Sequence, residues 1–124
     1  MGLSSDNLSP IYVRIAKWLE DCIIDGTLKE DERVYSQYQL AEMFNINPAT
    51  AAKGLSILAD EGTIYKRRGL GMFVSPDSRE IIIEKRKGDE FEQKIRQLVS
   101  EAKKLGIDGE KLLTAIRRIY ESEA

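Results

Sequence analysis

Lys66-Arg67-Arg68 stands directly before Gly69-Leu70-Gly71, and of the clusters in this 124-residue chain it points most directly to a chemistry. Cations beside a glycine-containing turn can approach phosphate closely, because glycine turns tightly and has no side chain to hold a backbone away. Catalytic chemistry has little to work with. The chain has no histidine, which removes the commonest general base and the commonest metal ligand together. Cys22 stands alone, so one chain can form neither an internal disulfide nor a thiolate zinc site. It falls on the apolar stripe of a helix and reads as a buried, inert thiol. Acidic pairs such as Asp60-Glu61 read as solvated helix-end charges. No nucleophile, base or metal set has active-site spacing, so the sequence predicts neither an enzyme nor a bound cofactor or metal. A second basic run, Lys85-Arg86-Lys87, is balanced by Glu84 and Asp89 and reads as a solvated face.

The overall charge is −2, and neither side of Ser75 is basic on average. Residues 1–75 hold 8 basic and 10 acidic side chains; residues 76–124 hold 11 of each. Any surface that meets a polyanion must therefore be local. At 42% hydrophobic and 32% charged, the chain has the composition of an ordinary globular protein. Its longest apolar runs, Cys22-Ile23-Ile24 and Ile81-Ile82-Ile83, fall far short of the ~20 residues that cross a bilayer. Met1–Ser9 has no basic-then-apolar pattern and is expected to carry no secretory signal; together these features point to the cytoplasm.

The elements that must position the basic run can be read in order. Ser9 as cap and Pro10 at the first helical position open a helix carrying Ile11, Ile15, Leu19 and Ile23, which Asp25-Gly26 ends. Lys29–Asp31 reads as a turn and Arg33-Val34-Tyr35 as an extended segment. Ser36 and Gln39 have the spacing of a capping box and start a second helix with Leu40, Ala41 and Phe44 inward. Asn45-Ile46 connects it to a third, capped by Asn47 with Pro48 next. Ala51, Leu55 and Leu58 point inward there, and Glu61-Gly62 stops it. Two short helices so closely joined are a helix-turn-helix signature. Thr63–Lys66 and Met72–Ser75 then read as strands of a β-hairpin with the basic residues and glycines at its tip.

Beyond Pro76 the pattern changes. Asp77–Lys104 reads as helical, with Gly88 marking a kink or a break that the sequence leaves open. Phe91, Ile95, Leu98, Ala102 and Leu105 repeat at 4-3-4-3 spacing, the seam of a helix packed on a helix. Gly106 stops it, Asp108 caps a last helix, and Leu112, Leu113, Ile116, Ile119 and Tyr120 form a second apolar face. The fold class expected is mainly α with a small β-hairpin: a winged helix-turn-helix domain over 1–75 and a helical hairpin over 76–124. A 49-residue appendage can barely bury both stripes by itself, so they are expected to dimerise the chain.

Pro10 to Val74 resembles the DNA-binding domain of the GntR family of bacterial transcription regulators. The residues that carry the likeness are Pro10-Ile11-Tyr12, Ile15, Ile24-Asp25-Gly26-Thr27-Leu28-Lys29, Ser36 and Leu40-Ala41. It continues through Ile46-Asn47-Pro48-Ala49-Thr50, Leu58, Glu61-Gly62 and Gly69-Leu70-Gly71-Met72-Phe73-Val74. The tail, with Glu101–Ile107 before one short final helix, is similar to that of the YtrA-type subgroup. Larger members carry an effector-binding domain for which these residues leave no room.

The resemblance implies a homodimer on the double-stranded DNA of a roughly palindromic operator, each third helix entering a major groove. It implies that Ser36, Gln37 and Tyr38 lie near the DNA backbone and that Asn47, Pro48, Ala49, Thr50, Lys53 and Ser56 form the groove-facing helix. Lys66, Arg67 and Arg68, with Gly69, Leu70 and Gly71, would reach phosphates or the minor groove. Relatives commonly have arginine where this chain has Tyr38, Pro48 and Ala52, a basic residue at Leu70, and proline at Tyr35. The function implied is a sequence-specific repressor, with a transporter operon as the target suggested by YtrA-type relatives and no effector indicated. The acidic balance and missing arginines motivate one alternative, a protein-interaction module on a winged helix without DNA affinity.

Overall fold

Side-chain caps mark where three of the helices begin. The computed structural model describes residue 3 and residues 9–123, so the expectation for Met1–Ser9 falls mostly outside the described residues. Helix α1, Ile11–Ile24, turns Ile15, Ala16, Leu19, Cys22 and Ile23 inward. It starts one residue later than expected. Pro10, not Ser9, is the cap: its ψ of 152° is extended, and its carbonyl accepts the Val13 and Arg14 N–H groups at 3.1 and 3.2 Å.

Helix α2, Gln37–Phe44, has the expected capping box in full. The Gln39 N–H donates to Ser36 Oγ at 3.1 Å and the Ser36 N–H to Gln39 Oε1 at 2.8 Å. Helix α3, Pro48–Asp60, is capped by Asn47, whose Oδ1 accepts the Ala49 N–H at 2.8 Å. Helices α1 and α3 meet at Gly54, where any Cβ would fall 2.9 Å from the Tyr12 carbonyl oxygen. Only glycine lets these backbones approach so closely.

The hairpin consists of β1, Ile64–Arg67, and β2, Gly71–Val74, antiparallel with Tyr65 opposite Phe73, Lys66 opposite Met72 and Arg67 opposite Gly71. Each strand is offset by one residue from the sequence expectation. Thr63 helps to close α3, its buried Oγ1 donating to the Leu58 carbonyl at 3.0 Å. At the far end Arg67 belongs to the strand, and the loop is Arg68-Gly69-Leu70, closed by the Leu70 N–H on the Arg67 carbonyl at 2.9 Å. Gly69 and Gly71 take φ of +78° and +114°, which side chains resist. The expected extended segment runs along the other edge of β2: the Asp31 and Val34 N–H groups donate to the Val74 and Met72 carbonyls, both at 2.8 Å, and Arg33 bridges Phe73.

Ile15, Leu19, Leu40, Leu58, Ile64 and Val74 form the core, joined by Ile82 of helix α4, Ser78–Lys85. Trp18 packs at its edge between Tyr35 and Phe44, at ring distances of 5.8 and 4.9 Å. Cys22 is buried as expected, and that burial, with Asp25 and Asp21 adding to it, pushes its thiol from 9.0 to about 11. The compact units are Met1–Glu84 and Lys85–Ala124, so all of α4 but its last residue belongs to the first, whereas the sequence pattern changes at Pro76.

In the second unit a π-type turn spans Arg86–Glu90, and Gly88, with ψ of −129°, breaks the helix outright. Helix α5, Phe91–Lys104, and helix α6, Gly109–Ser122, follow, the second capped by Asp108 Oδ1 on the Lys111 N–H at 2.9 Å. Among the described residues of α5 and α6 only Ala102 is buried. Leu112 is half-buried, and Phe91, Ile95, Leu98, Leu105, Leu113, Ile116, Ile119 and Tyr120 are exposed.

Candidate nucleic-acid interface

Helix α3 is amphipathic in a way that separates holding from presenting. Ala51, Gly54, Leu55 and Leu58 are buried, while Ala49, Lys53 and Ser56 are exposed on the other side, with Thr50, Ala52 and Pro48 half-buried between. Asn47 is exposed; its side-chain oxygen accepts the cap bond, and its amide NH₂ is available to meet a partner. Lys53 Nζ lies 5.2 Å from the centre of the Tyr12 ring, a cation–π contact that orients the one cation on this helix. At the start of α2, Ser36 and Gln37 are half-buried and Tyr38 is exposed.

Between α3 and the hairpin runs a groove of about 610 Å³, floored by Leu55, Ala59, Ile64 and Met72 and rimmed by Gln37, Ser56 and Lys66. Side chains alternate along β1, so Ile64 and Lys66 turn towards this groove while Tyr65 and Arg67 turn to the other face with Phe73. Arg68, Gly69 and Leu70 are exposed at the loop and Gly71 is half-buried. The basic triplet is therefore not one patch: Lys66 and Arg67 lie on opposite faces of a strand and Arg68 in the loop.

Arg67 is heavily engaged. Its Nη2 donates to the Tyr65 hydroxyl at 2.7 Å, and that hydroxyl donates to Asp31 Oδ1 at 2.8 Å. The guanidinium lies 4.3 Å from the Phe73 ring centre, 5.4 Å from that of Tyr65, and 3.9 Å from Asp31 Oδ1. Sequence patterns alone missed Tyr12, Asp31, Arg33 and Tyr65. Arg33 packs over Gly71, its Nε 3.1 Å from where a Cβ would sit. The signal for Arg33 was its place in the extended segment before α2; the rest become neighbours only through long-range folding.

Among the described residues no group of acidic, cysteine or histidine side chains could hold a metal, and no helix is long and apolar enough to cross a membrane.

A three-helix core with a helix-turn-helix and a hairpin wing defines the winged helix-turn-helix class of transcriptional regulator. No protein-family model matches the chain. It is 29% identical over 111 residues to the HTH-type transcriptional repressor YtrA of Bacillus subtilis, covering 90% of this chain and 85% of YtrA. It is 35% identical over 80 residues to the repressor NagR of the same organism, but spans only 33% of NagR. A solved GntR family regulator from Listeria monocytogenes superposes with a TM-score of 0.71 at 28% identity, covering 91% of this chain and 97% of that one. Over nine-tenths of its length the chain is similar to GntR-family transcriptional regulators, the repressor YtrA among them, and it shares their winged helix-turn-helix fold.

Proposed function

We propose that the protein is a homodimeric, sequence-specific repressor that reads a roughly palindromic operator in the cytoplasm, with a transporter operon as the target implied by its YtrA-type resemblance. The observation that carries this is the exposed stripe of α3 (Ala49, Lys53, Ser56) beside Lys66 and Arg68 in one compact unit. A helix of this width fits a major groove, and its amino-terminal end favours phosphate. Ser36, Gln37 and Tyr38 would meet the backbone at the start of α2. Asn47, Pro48, Thr50 and Lys53 would present groove contacts, and Gly69, Leu70 and Gly71 would carry the wing tip.

The apolar stripes of α5 and α6 support a second copy as partner. Stable monomers rarely leave leucine and isoleucine side chains in water at this density. A two-fold dimer then places two reading helices one helical turn of DNA apart. Titration against genomic DNA at two salt concentrations tests the proposal: affinity that falls steeply with salt is expected, and no binding at low salt sinks it and favours a protein-interaction role. Selection of bound fragments from random DNA should return inverted half-sites at fixed spacing. Single, unpaired sites would remove the dimeric part.

A further inference from the structure

We infer that Arg67 positions the wing and is not one of its phosphate contacts: it latches the hairpin to the Asp31 corner, leaving Lys66 and Arg68 to meet DNA. The inference rests on the DNA-binding function proposed above and assigns work within its basic triplet. Arg67 closes β1, immediately before the loop that carries Arg68 and Leu70. The Tyr65 hydroxyl beneath it works in both directions, accepting from Arg67 and donating to Asp31. Asp31 is fixed in turn: its φ of +62° is left-handed, a conformation Asp tolerates better than most residues, and its N–H is bound to the Val74 carbonyl. The clasp thus ties together β1, β2 and the 31–34 segment.

A phosphate contact by Arg67 would have to dismantle that clasp. The guanidinium would leave the face of Phe73 and give up its bond to Tyr65, and any phosphate that replaced them would stand close to the Asp31 carboxylate. Like charges at that range repel. Lys66 and Arg68 face none of this. Both are exposed, and among the described residues neither has an ion-pair partner.

The slope of log affinity against log salt counts phosphate contacts, which makes it the discriminating measurement. Arg68→Ala should make the slope shallower by about 0.9, the value for one lost contact. Arg67→Ala should weaken binding by roughly 3- to 10-fold, the cost of a loosened surface clasp, and change the slope by less than about 0.3. Tyr65→Phe carries no charge change and should weaken binding in the same direction, with the double variant no worse than Arg67→Ala alone. A slope loss in Arg67→Ala like that in Arg68→Ala, tighter binding by Tyr65→Phe, or unchanged affinity in both would overturn the inference. Amide hydrogen exchange on the free protein gives a second readout. The Leu70 N–H, bonded to the Arg67 carbonyl, should exchange faster in both variants; wild-type protection would also overturn it. If the wild-type protein binds no DNA at all, the proposed function falls, and the latch is judged by exchange alone.

Discussion

The first unit hides most of its large apolar side chains, leaving Ile11, Tyr38, Leu70 and Ile81 exposed, and the second displays nearly all of its own. In Met1–Glu84, Ile15, Leu19, Leu40, Leu58 and Ile82 have no measurable exposure, whereas Leu98 is 45% exposed, Phe91 57% and Leu105 65%. Both units have well-capped helices, so local helix signals do not explain the contrast. The difference lies in closure. Three helices and a hairpin can surround a core, but α5 and α6 bury only Ala102 between them. One unit closes a core of its own; the other leaves its apolar stripes exposed.

Four changes would break or sharpen that contrast. Leu98→Asp should turn a dimer into a 14.1 kDa monomer by light scattering and weaken operator binding by ~100-fold or more through lost bivalency. The unfolding midpoint of the first unit should stay where it was, and an intact dimer would end the tail's assigned role. Leu58→Ala should do the reverse, costing the first unit ~3 kcal/mol in chemical denaturation without altering the oligomeric state seen by light scattering.

Cys22 supplies a pH test confined to the first unit. Its thiol is raised from 9.0 to about 11, so the folded state keeps the proton that the unfolded chain loses. The stabilisation is complete below pH 9 and is lost as pH rises towards 11, by about 2–3 kcal/mol in all. Cys22→Ala should remove that part of the alkaline loss of stability, and parallel curves for the two proteins would contradict it. The smallest effect expected is from Ser36→Ala, about 1 kcal/mol of unfolding free energy for the lost cap. A neutral result would mean that the Gln39 half of the capping box holds α2 alone.

What could be read from the sequence was local. Ser36 with Gln39 and Asn47 with Pro48 announce their helices within four residues, and the 4-3-4-3 stripe announces the apolar face that α5 leaves exposed. The site was legible as a region but not as a geometry. Arg67 belongs to the hairpin tip by spacing alone. The partnership of Gly71 with Arg67 moves it into the strand, and strand alternation then turns it away from Lys66. Its partner Asp31 lies 34 residues before the Tyr65 that joins them, a distance no short pattern spans. The division after Glu84 was equally hidden, because it depends on where Ile82 packs. Gly88 marked itself as a weak point, but only its ψ value decides between a bend and a break.

The cap at Asn47 has a consequence for how such a regulator could change its target over generations. One end of this amide starts α3 while the other faces outward, so a substitution here is judged by two criteria at once. Asp would keep the helix start and lose the donor; Gln or Arg would keep a donor and lose the start. Ala49, Lys53 and Ser56 carry no such double duty at the helix end. Drift in operator preference would therefore accumulate at those three positions first, with Asn47 as the slow site of the lineage.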